Sequence, residues 1–197
     1  MTKTVMDIFP SGLYAEHNIL TPEENEILIQ KIHSMREEYG VGNTDDWYSG
    51  VYSPDNCFKL LCLTQVSEFK TLIDKVKTCV EDYARYYGSM SKYECVNGWY
   101  NIYTSGKYQE FHIHPDMIFS AVYFLRVPDG ANGITFKRPM HSMLPPKNVQ
   151  VETPWNQEII TAPPKEGTVV IFRSDLYHSV LPSNFKSERI TVALNYK

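Results

Sequence analysis

Three residues able to ligate a metal recur at every second position in His112-Ile113-His114-Pro115-Asp116. Side chains two apart fall on one face of an extended strand, so His112, His114 and Asp116 are predicted to point into a common space if the segment is a strand. Two imidazoles and a carboxylate suit a borderline divalent ion such as iron(II). A further histidine, His178, lies far downstream in another apolar segment. Two strand-borne ligands joined by one distant histidine would assemble a mononuclear facial triad. An isolated H-x-H pair is more often a surface feature or a hydrogen-bonded core pair, so the reading depends on what accompanies it.

Positioning such a cluster requires rigid elements. Thr21-Pro22-Glu23-Glu24 reads as a helix start, with Thr21 as N-cap, Pro22 as first helical residue and Glu24 as the reciprocal partner of a capping box. This helix is expected to run through Ile27, Leu28, Ile32 and Met35 and to stop at Gly40 and Gly42. A second helix is predicted from one apolar stripe, Val66, Phe69, Ile73, Val76, Val80, Tyr83 and Tyr87, stepping by three and four. Gly88 should end it. From Tyr93 onward the pattern changes to short β-type runs: Trp99 to Thr104, Tyr108 to His114, Ile118 to Val127, Ile134 to Lys137, Glu158 to Ala162, Thr168 to Phe172 and Arg189 to Tyr196. Met140 to Gln157 lacks periodicity and reads as a loop. Two helices followed by a series of short strands predict an α+β domain, its β half a sandwich or jelly roll with the helices packed outside. No repeat or linker divides the chain. One domain over 1–197 is expected, with helical support over 1–92 and a jelly-roll core over 93–197.

Trp99-Tyr100-Asn101, His112-Ile113-His114-Pro115, Ser120-Ala121-Val122-Tyr123-Phe124, Val170-Ile171-Phe172, His178-Ser179-Val180 and Arg189-Ile190-Thr191 follow one another in that order. Together they resemble the iron(II)- and 2-oxoglutarate-dependent oxygenase superfamily. They are most similar to a branch common in phage and bacterial genomes that carries an H-x-H-P segment. The resemblance covers about residues 97 to 197 and implies a double-stranded β-helix, the jelly-roll or cupin-like barrel. It further implies a dioxygenase using Fe(II), 2-oxoglutarate and dioxygen, which hydroxylates a C–H bond while 2-oxoglutarate is converted to succinate and carbon dioxide.

The superfamily pattern is H-x-D/E, a distal histidine, then an arginine with Ser or Thr two residues beyond. His114-Pro115-Asp116, His178, Arg189 and Thr191 fit it. Arg189 is then the expected partner of the distal carboxylate of 2-oxoglutarate, because a planar guanidinium binds a carboxylate bidentately. Thr191 shares its strand face and could donate a hydroxyl. Asn101, Tyr103 and Tyr123 are expected to complete the cosubstrate pocket. An arginine aimed into a barrel needs a partner, since an unpaired buried charge is costly, and a bound dicarboxylate would supply one. Two metal triads remain open. His114, Asp116 and His178 are favoured by charge, because a carboxylate lowers the net charge on iron(II). His112, His114 and His178 are favoured by the branch, in which the H-x-H pair recurs while the Asp116 position varies. His114 and His178 belong to both.

The chain has 197 residues, 43% of them hydrophobic, enough for one sizeable core. Its formal net charge of −4 argues against a nucleic-acid partner or an anionic lipid surface. No apolar run approaches the roughly 20 residues of a membrane span. Asp7 stands where a signal peptide would carry its apolar core, so a cytoplasmic protein is expected, in the host cytoplasm if phage-encoded. Cys57, Cys62, Cys79 and Cys95 lack C-x-x-C pairing and read as free thiols. His17, His33 and His141 are expected to face solvent, Lys137-Arg138 to form a solvated turn, and Trp47 and Tyr48 to cover the core. No G-x-S-x-G, P-loop or G-x-G-x-x-G occurs. Two rivals stand beside the oxygenase: a cupin-type metalloenzyme with three histidines and no 2-oxoglutarate, and a non-catalytic jelly-roll binding module. Arg189 and Thr191 argue against the cupin-type site, which has no need of them. The support helices resemble those of prolyl hydroxylase-like members, which makes a peptide or protein side chain the expected substrate.

Overall fold

Strand parity sorts the interior of this protein into two sides. The computed structural model describes residues 11–39, 62–139 and 147–197. Its elements run β1 (Tyr14–Glu16), α1 (Pro22–Tyr39), α2 (Lys70–Arg85), β2 (Cys95–Tyr103), β3 (Gln109–His112), β4 (Phe119–Arg126), β5 (Ile134–Lys137), β6 (Ile159–Ala162), β7 (Val169–Arg173), β8 (His178–Val180) and β9 (Arg189–Tyr196). The strands form a five-stranded sheet, β1-β7-β4-β9-β2, and a four-stranded sheet, β3-β8-β5-β6. Neighbouring strands in both sheets run antiparallel. This is the expected jelly-roll arrangement.

The larger sheet is covered on both faces. Every residue of β9 is buried, as a central strand between two layers requires. Ile190, Val192, Leu194 and Tyr196 join the cluster that includes Leu28, Ile32, Leu72, Val76 and Val80 of the helices. The alternate residues, Arg189, Thr191, Ala193 and Asn195, face the other way, toward the smaller sheet. In β4 the same parity sends Ala121, Tyr123 and Leu125 into the helix-side cluster and puts Phe124 with Phe136, Val170 and Phe172 between the sheets. Each such buried Leu, Val or Phe contributes about 1.5–3 kcal/mol.

The first helix starts as its sequence indicates. The Thr21 backbone N–H donates to Glu24 Oε2 at 2.8 Å, and the Glu24 N–H donates to Thr21 Oγ1 at 3.2 Å. Gly40 and Gly42 lie outside the described residues, as do Cys57, Trp47, Tyr48 and His141. The second helix differs from expectation. Leu63–Gln65 and Ser67–Phe69 are two short 3₁₀ turns, separated by Val66 in an extended conformation (φ −101°, ψ 115°), and α2 begins only at Lys70. Val66 and Phe69 are buried as the stripe predicts, but burial alone does not require continuous α backbone. At the far end Gly88 takes φ 73°, and the Ser89 N–H closes the helix on the Ala84 carbonyl at 3.1 Å. Two three-residue strands, β1 and β8, are too short to stand out as periodic runs. Cys62, Cys79 and Cys95 are free thiols. No described helix is long and apolar enough to cross a membrane.

Candidate metal centre

His112 ends β3 directly opposite His178, which begins β8. A register shift between Gln109 and His112 bulges the strand just before the histidine, and such bulges re-aim side chains. His114 lies two residues past the strand, held by its backbone N–H to the Ser174 carbonyl at 2.9 Å. The chain must then cross from the smaller sheet to the larger, where β4 begins at Phe119. It does so through a turn at Pro115–Asp116, with Asp116 in the left-handed region at φ 64°. One potential ligand atom from each of His112, His114 and His178 lies within 4.8 Å of the others. Asp116 is exposed and outside that cluster. The expected common space therefore includes His112 and His114 and not Asp116, but not through one strand face: β3 ends at His112, His114 follows it, and the crossing turn carries Asp116 away.

The protonation of the three rings follows from their partners. His112 Nδ1 lies 2.7 Å from the Glu110 carbonyl oxygen, and His178 Nδ1 lies 2.9 Å from that of Leu176. His114 Nδ1 lies 2.6 Å from Asn195 Oδ1 and 2.8 Å from Ser120 Oγ. A carbonyl oxygen only accepts, so each Nδ1 carries its proton and donates, leaving a lone pair on each Nε2. Burial disfavours the imidazolium form in all three. It pushes His114 down to about 4, with His112 adding to the effect and the Asn195 bond opposing it. Burial, then His112 and His114, push His178 down to about 2 against the Leu176 carbonyl. His112 is also lowered by burial, opposed by Glu110. Three neutral imidazoles are the form a divalent metal takes.

A cavity partly open to solvent has this cluster and Arg189 in its lining. Cross-strand pairs of β2 and β9 build one wall: Trp99 with Ala193, Asn101 with Thr191, and Tyr103 with Arg189. Val122, Ile134 and Val180 supply apolar surface, and the lining contains no carboxylate among the described residues. Arg189 is 1% exposed, and none of its three guanidinium nitrogens has a hydrogen-bond partner among the described residues. Its Cζ lies 4.5 Å from the centre of the Tyr103 ring and 5.4 Å from that of Phe124. The Tyr103 hydroxyl is directed to Gln109 Oε1 at 3.0 Å. Burial therefore works against the Arg189 charge, and Tyr103 opposes that effect. Asn101 Oδ1 is likewise buried without a partner among the described residues. These orphaned groups fit an anion bearing a carboxylate at the Arg189 end and further oxygen donors at the histidine end.

The structure takes Tyr123 away from this cavity. Its hydroxyl donates to Asn25 Oδ1 of α1 at 2.6 Å, while its neighbour Val122 lines the cavity. The expectation had the wrong parity for β4. Trp99, Gln109 and Asn195 were missed, although Trp99 stands two residues before Asn101 and Asn195 four beyond Thr191, each on a face already assigned. His17 is exposed, with Nδ1 2.8 Å from Thr168 Oγ1. His33 is half-buried, its Nε2 3.6 Å from Glu188 Oε2. Lys137 is exposed, whereas Arg138 donates to the Pro154 carbonyl at 2.9 Å.

Several solved structures share this fold. A prolyl-4-hydroxylase from Pseudomonas putida superposes with a TM-score of 0.62 at 15% identity, over 95% of this chain and 92% of that one. The viral collagen prolyl hydroxylase of Paramecium bursaria Chlorella virus-1, solved as a 2OG complex, gives 0.57 at 16%, over 93% and 94%. The non-heme alpha-ketoglutarate-dependent epimerase SnoN of nogalamycin biosynthesis gives 0.68 at 12%, over 94% and 76%. No curated protein matches the sequence. The family described as "Putative 2OG-Fe(II) oxygenase" matches residues 97–195, a stretch that contains the three histidines, Arg189 and all the cavity walls. The chain belongs to this family of 2OG-Fe(II) oxygenases, and is thus an oxidoreductase that uses iron(II) and 2-oxoglutarate.

Proposed function

We propose that this oxygenase hydroxylates a C–H bond, with His112, His114 and His178 as its iron ligands and Arg189, Thr191, Asn101 and Tyr103 around the cosubstrate. The whole chain is read as one oxygenase domain. A single observation carries the assignment: one cavity has three neutral imidazoles at one end and, at the other, a buried guanidinium with no hydrogen-bond partner among the described residues. When bound, iron and 2-oxoglutarate together supply the oxidising chemistry with dioxygen. The chain's own residues bind and orient. Arg189 takes the carboxylate remote from the metal through a bidentate pair. Asn101 and Thr191, side by side across β2 and β9, offer polar atoms next to it. Val122, Ile134, Val180 and Ala193 keep water from the space between.

A peptide or protein side chain is the preferred substrate. Exposed Phe111 and Tyr177 flank His112 and His178 in sequence. Partly exposed Ile160 sits opposite Phe136, itself opposite His178, on one rung of the smaller sheet. Exposed apolar side chains on the smaller sheet would give an extended chain a surface to pack against. Two of the three proteins compared above are prolyl hydroxylases, one of them a collagen prolyl hydroxylase. The H-x-H-P stretch supports a place in the branch common in phage and bacterial genomes.

The test combines metal content, anaerobic calorimetric titration of 2-oxoglutarate into the Fe(II)-loaded protein, and succinate release with proline-containing peptides. We expect His178→Ala and His112→Ala to lose iron, Asp116→Asn to retain it, and Arg189→Ala to abolish 2-oxoglutarate binding. Iron retained in His112→Ala but lost in Asp116→Asn would restore the carboxylate triad. Undiminished 2-oxoglutarate binding by Arg189→Ala would overturn the cosubstrate assignment, and absence of both metal and 2-oxoglutarate binding in the wild type would leave a binding module.

A further inference from the structure

The three histidines are oriented by different means. His112 and His178 each donate from Nδ1 to the backbone carbonyl two residues earlier, Glu110 and Leu176. Those acceptors come with the backbone, whatever the side chains. His114 lies beyond β3 and meets no such local acceptor. Its Nδ1 meets side chains from distant elements, Asn195 on β9 and Ser120 on β4. Ser120 Oγ also donates to Asn195 Oδ1 at 2.8 Å and lies 2.8 Å from Ser174 Oγ. Asn195, Ser120 and Ser174 are all buried, Asn195 being 4% exposed.

Proton counting gives the network one consistent direction. Ser120 has a single hydroxyl proton and gives it to Asn195 Oδ1, so Ser174 donates to Ser120 Oγ. Asn195 Oδ1 has two lone pairs and accepts from both Ser120 and His114. The chain Ser174 to Ser120 to Asn195 thus ends on an oxygen that can only accept, at 2.6 Å from His114 Nδ1. We infer that Asn195 is a positioning residue of the metal centre. Its side-chain carbonyl, pinned by Ser120 and Ser174, fixes the Nδ1–H tautomer and the ring orientation of His114, and so presents Nε2 to the metal. This rests on the reading of His114 as a ligand. Partners of this kind behind a metal-bound histidine typically change metal affinity by about 10–100-fold when removed.

Two measurements test it in the full-length protein. The first is the tautomer of His114 in the metal-free protein, read at neutral pH by ¹⁵N NMR of histidine-labelled samples. The wild type and Asn195→Asp, which keeps an acceptor in place, should both show Nδ1–H, and Asn195→Leu should lose that preference. The second is titration with Co(II) alone, followed by absorbance. Asn195→Leu should bind about 10–100-fold more weakly than wild type, and Asn195→Asp should bind close to wild type. An Nε2–H tautomer in the wild type overturns the inference without any variant, which covers the case in which Asn195→Leu fails to fold. Equal Co(II) affinity and an unchanged tautomer in a folded Asn195→Leu overturn it as well. If the wild type binds no Co(II), the assignment of His114 as a ligand fails, which the tautomer measurement keeps separate from the orientation by Asn195.

Discussion

Arg189 is the residue whose presence is hardest to explain by folding alone. A guanidinium buried without a hydrogen-bonding partner among the described residues costs stability, and replacing buried ionic groups by apolar residues of similar volume often stabilises by about 1–4 kcal/mol. Arg189→Met should therefore raise the melting temperature of the ligand-free protein while abolishing the stabilisation produced by 2-oxoglutarate. A lower melting temperature in that variant would mean that the guanidinium is satisfied within the fold. The histidines carry a similar tension. Burial holds His114 and His178 at about 4 and about 2, below the ordinary 6.5 of an unfolded histidine. On acidification the unfolded chain therefore takes up these protons first. Their contribution to stability is present above about pH 6.5 and is lost as pH falls through the folded values, at about 1.4 kcal/mol per pH unit for each histidine. Unfolding free energies of the metal-free protein between pH 7 and about 4 should fall more steeply for wild type than for His178→Phe. Parallel slopes would count against buried neutral His178. At this scale the three histidines and Arg189, which the structure gathers around one cavity, were legible because their chemistry is rare and their spacing regular. Tyr123 misled because a tyrosine hydroxyl is equally at home facing a cosubstrate or bonding to a packed helix.

The elements show which local signals translate into backbone. The capping box at Thr21 and Glu24 forms in both directions, so Thr21→Ala should cost about 1 kcal/mol, measurable by chemical denaturation. A negligible change would mean that tertiary contacts alone hold the start of α1. Gly133 precedes β5, and a Cβ there would meet the Ala162 carbonyl oxygen at 1.8 Å. The two backbones approach too closely for any side chain, so Gly133→Ala should destabilise by about 1–3 kcal/mol, the usual range for overpacking, and disturb the β5–β6 pair. An unchanged melting temperature would exclude so close an approach. The apolar stripe from Val66 to Tyr87 identified much of what is buried but not the backbone that buries it, because a 3₁₀ turn and an α-helix can both present residues three apart to one surface.

The described residues form three layers: helices, the larger sheet and the smaller sheet. The helix-side cluster is extensive and apolar, whereas the space between the sheets holds a second cluster and the polar cavity. Apolar burial thus concentrates on the helix side, and the cavity lies on the other face of the larger sheet. At 100 times its dissociation constant, 2-oxoglutarate should stabilise the iron-loaded protein by about 2.7 kcal/mol. The shift in melting temperature should track the logarithm of its concentration and vanish in Arg189→Ala.

Much about this protein is determined by local chemistry alone. Two helices, the strand series, a histidine cluster and an arginine with a threonine on the same strand face are all set by residue type and by periods of two or of three to four. Which of His112 and Asp116 comes to lie with His114 and His178 belongs to the tertiary structure. A period of two persists only while a strand does, and here the chain leaves the smaller sheet at His112 and turns at Pro115–Asp116 to reach the larger one. The partners of His114 are likewise invisible in sequence, since Ser120, Ser174 and Asn195 come together only through the register of β4, β7 and β9. Spacing along the chain reports which side chains share a face; only the packing of one sheet on another decides which faces meet.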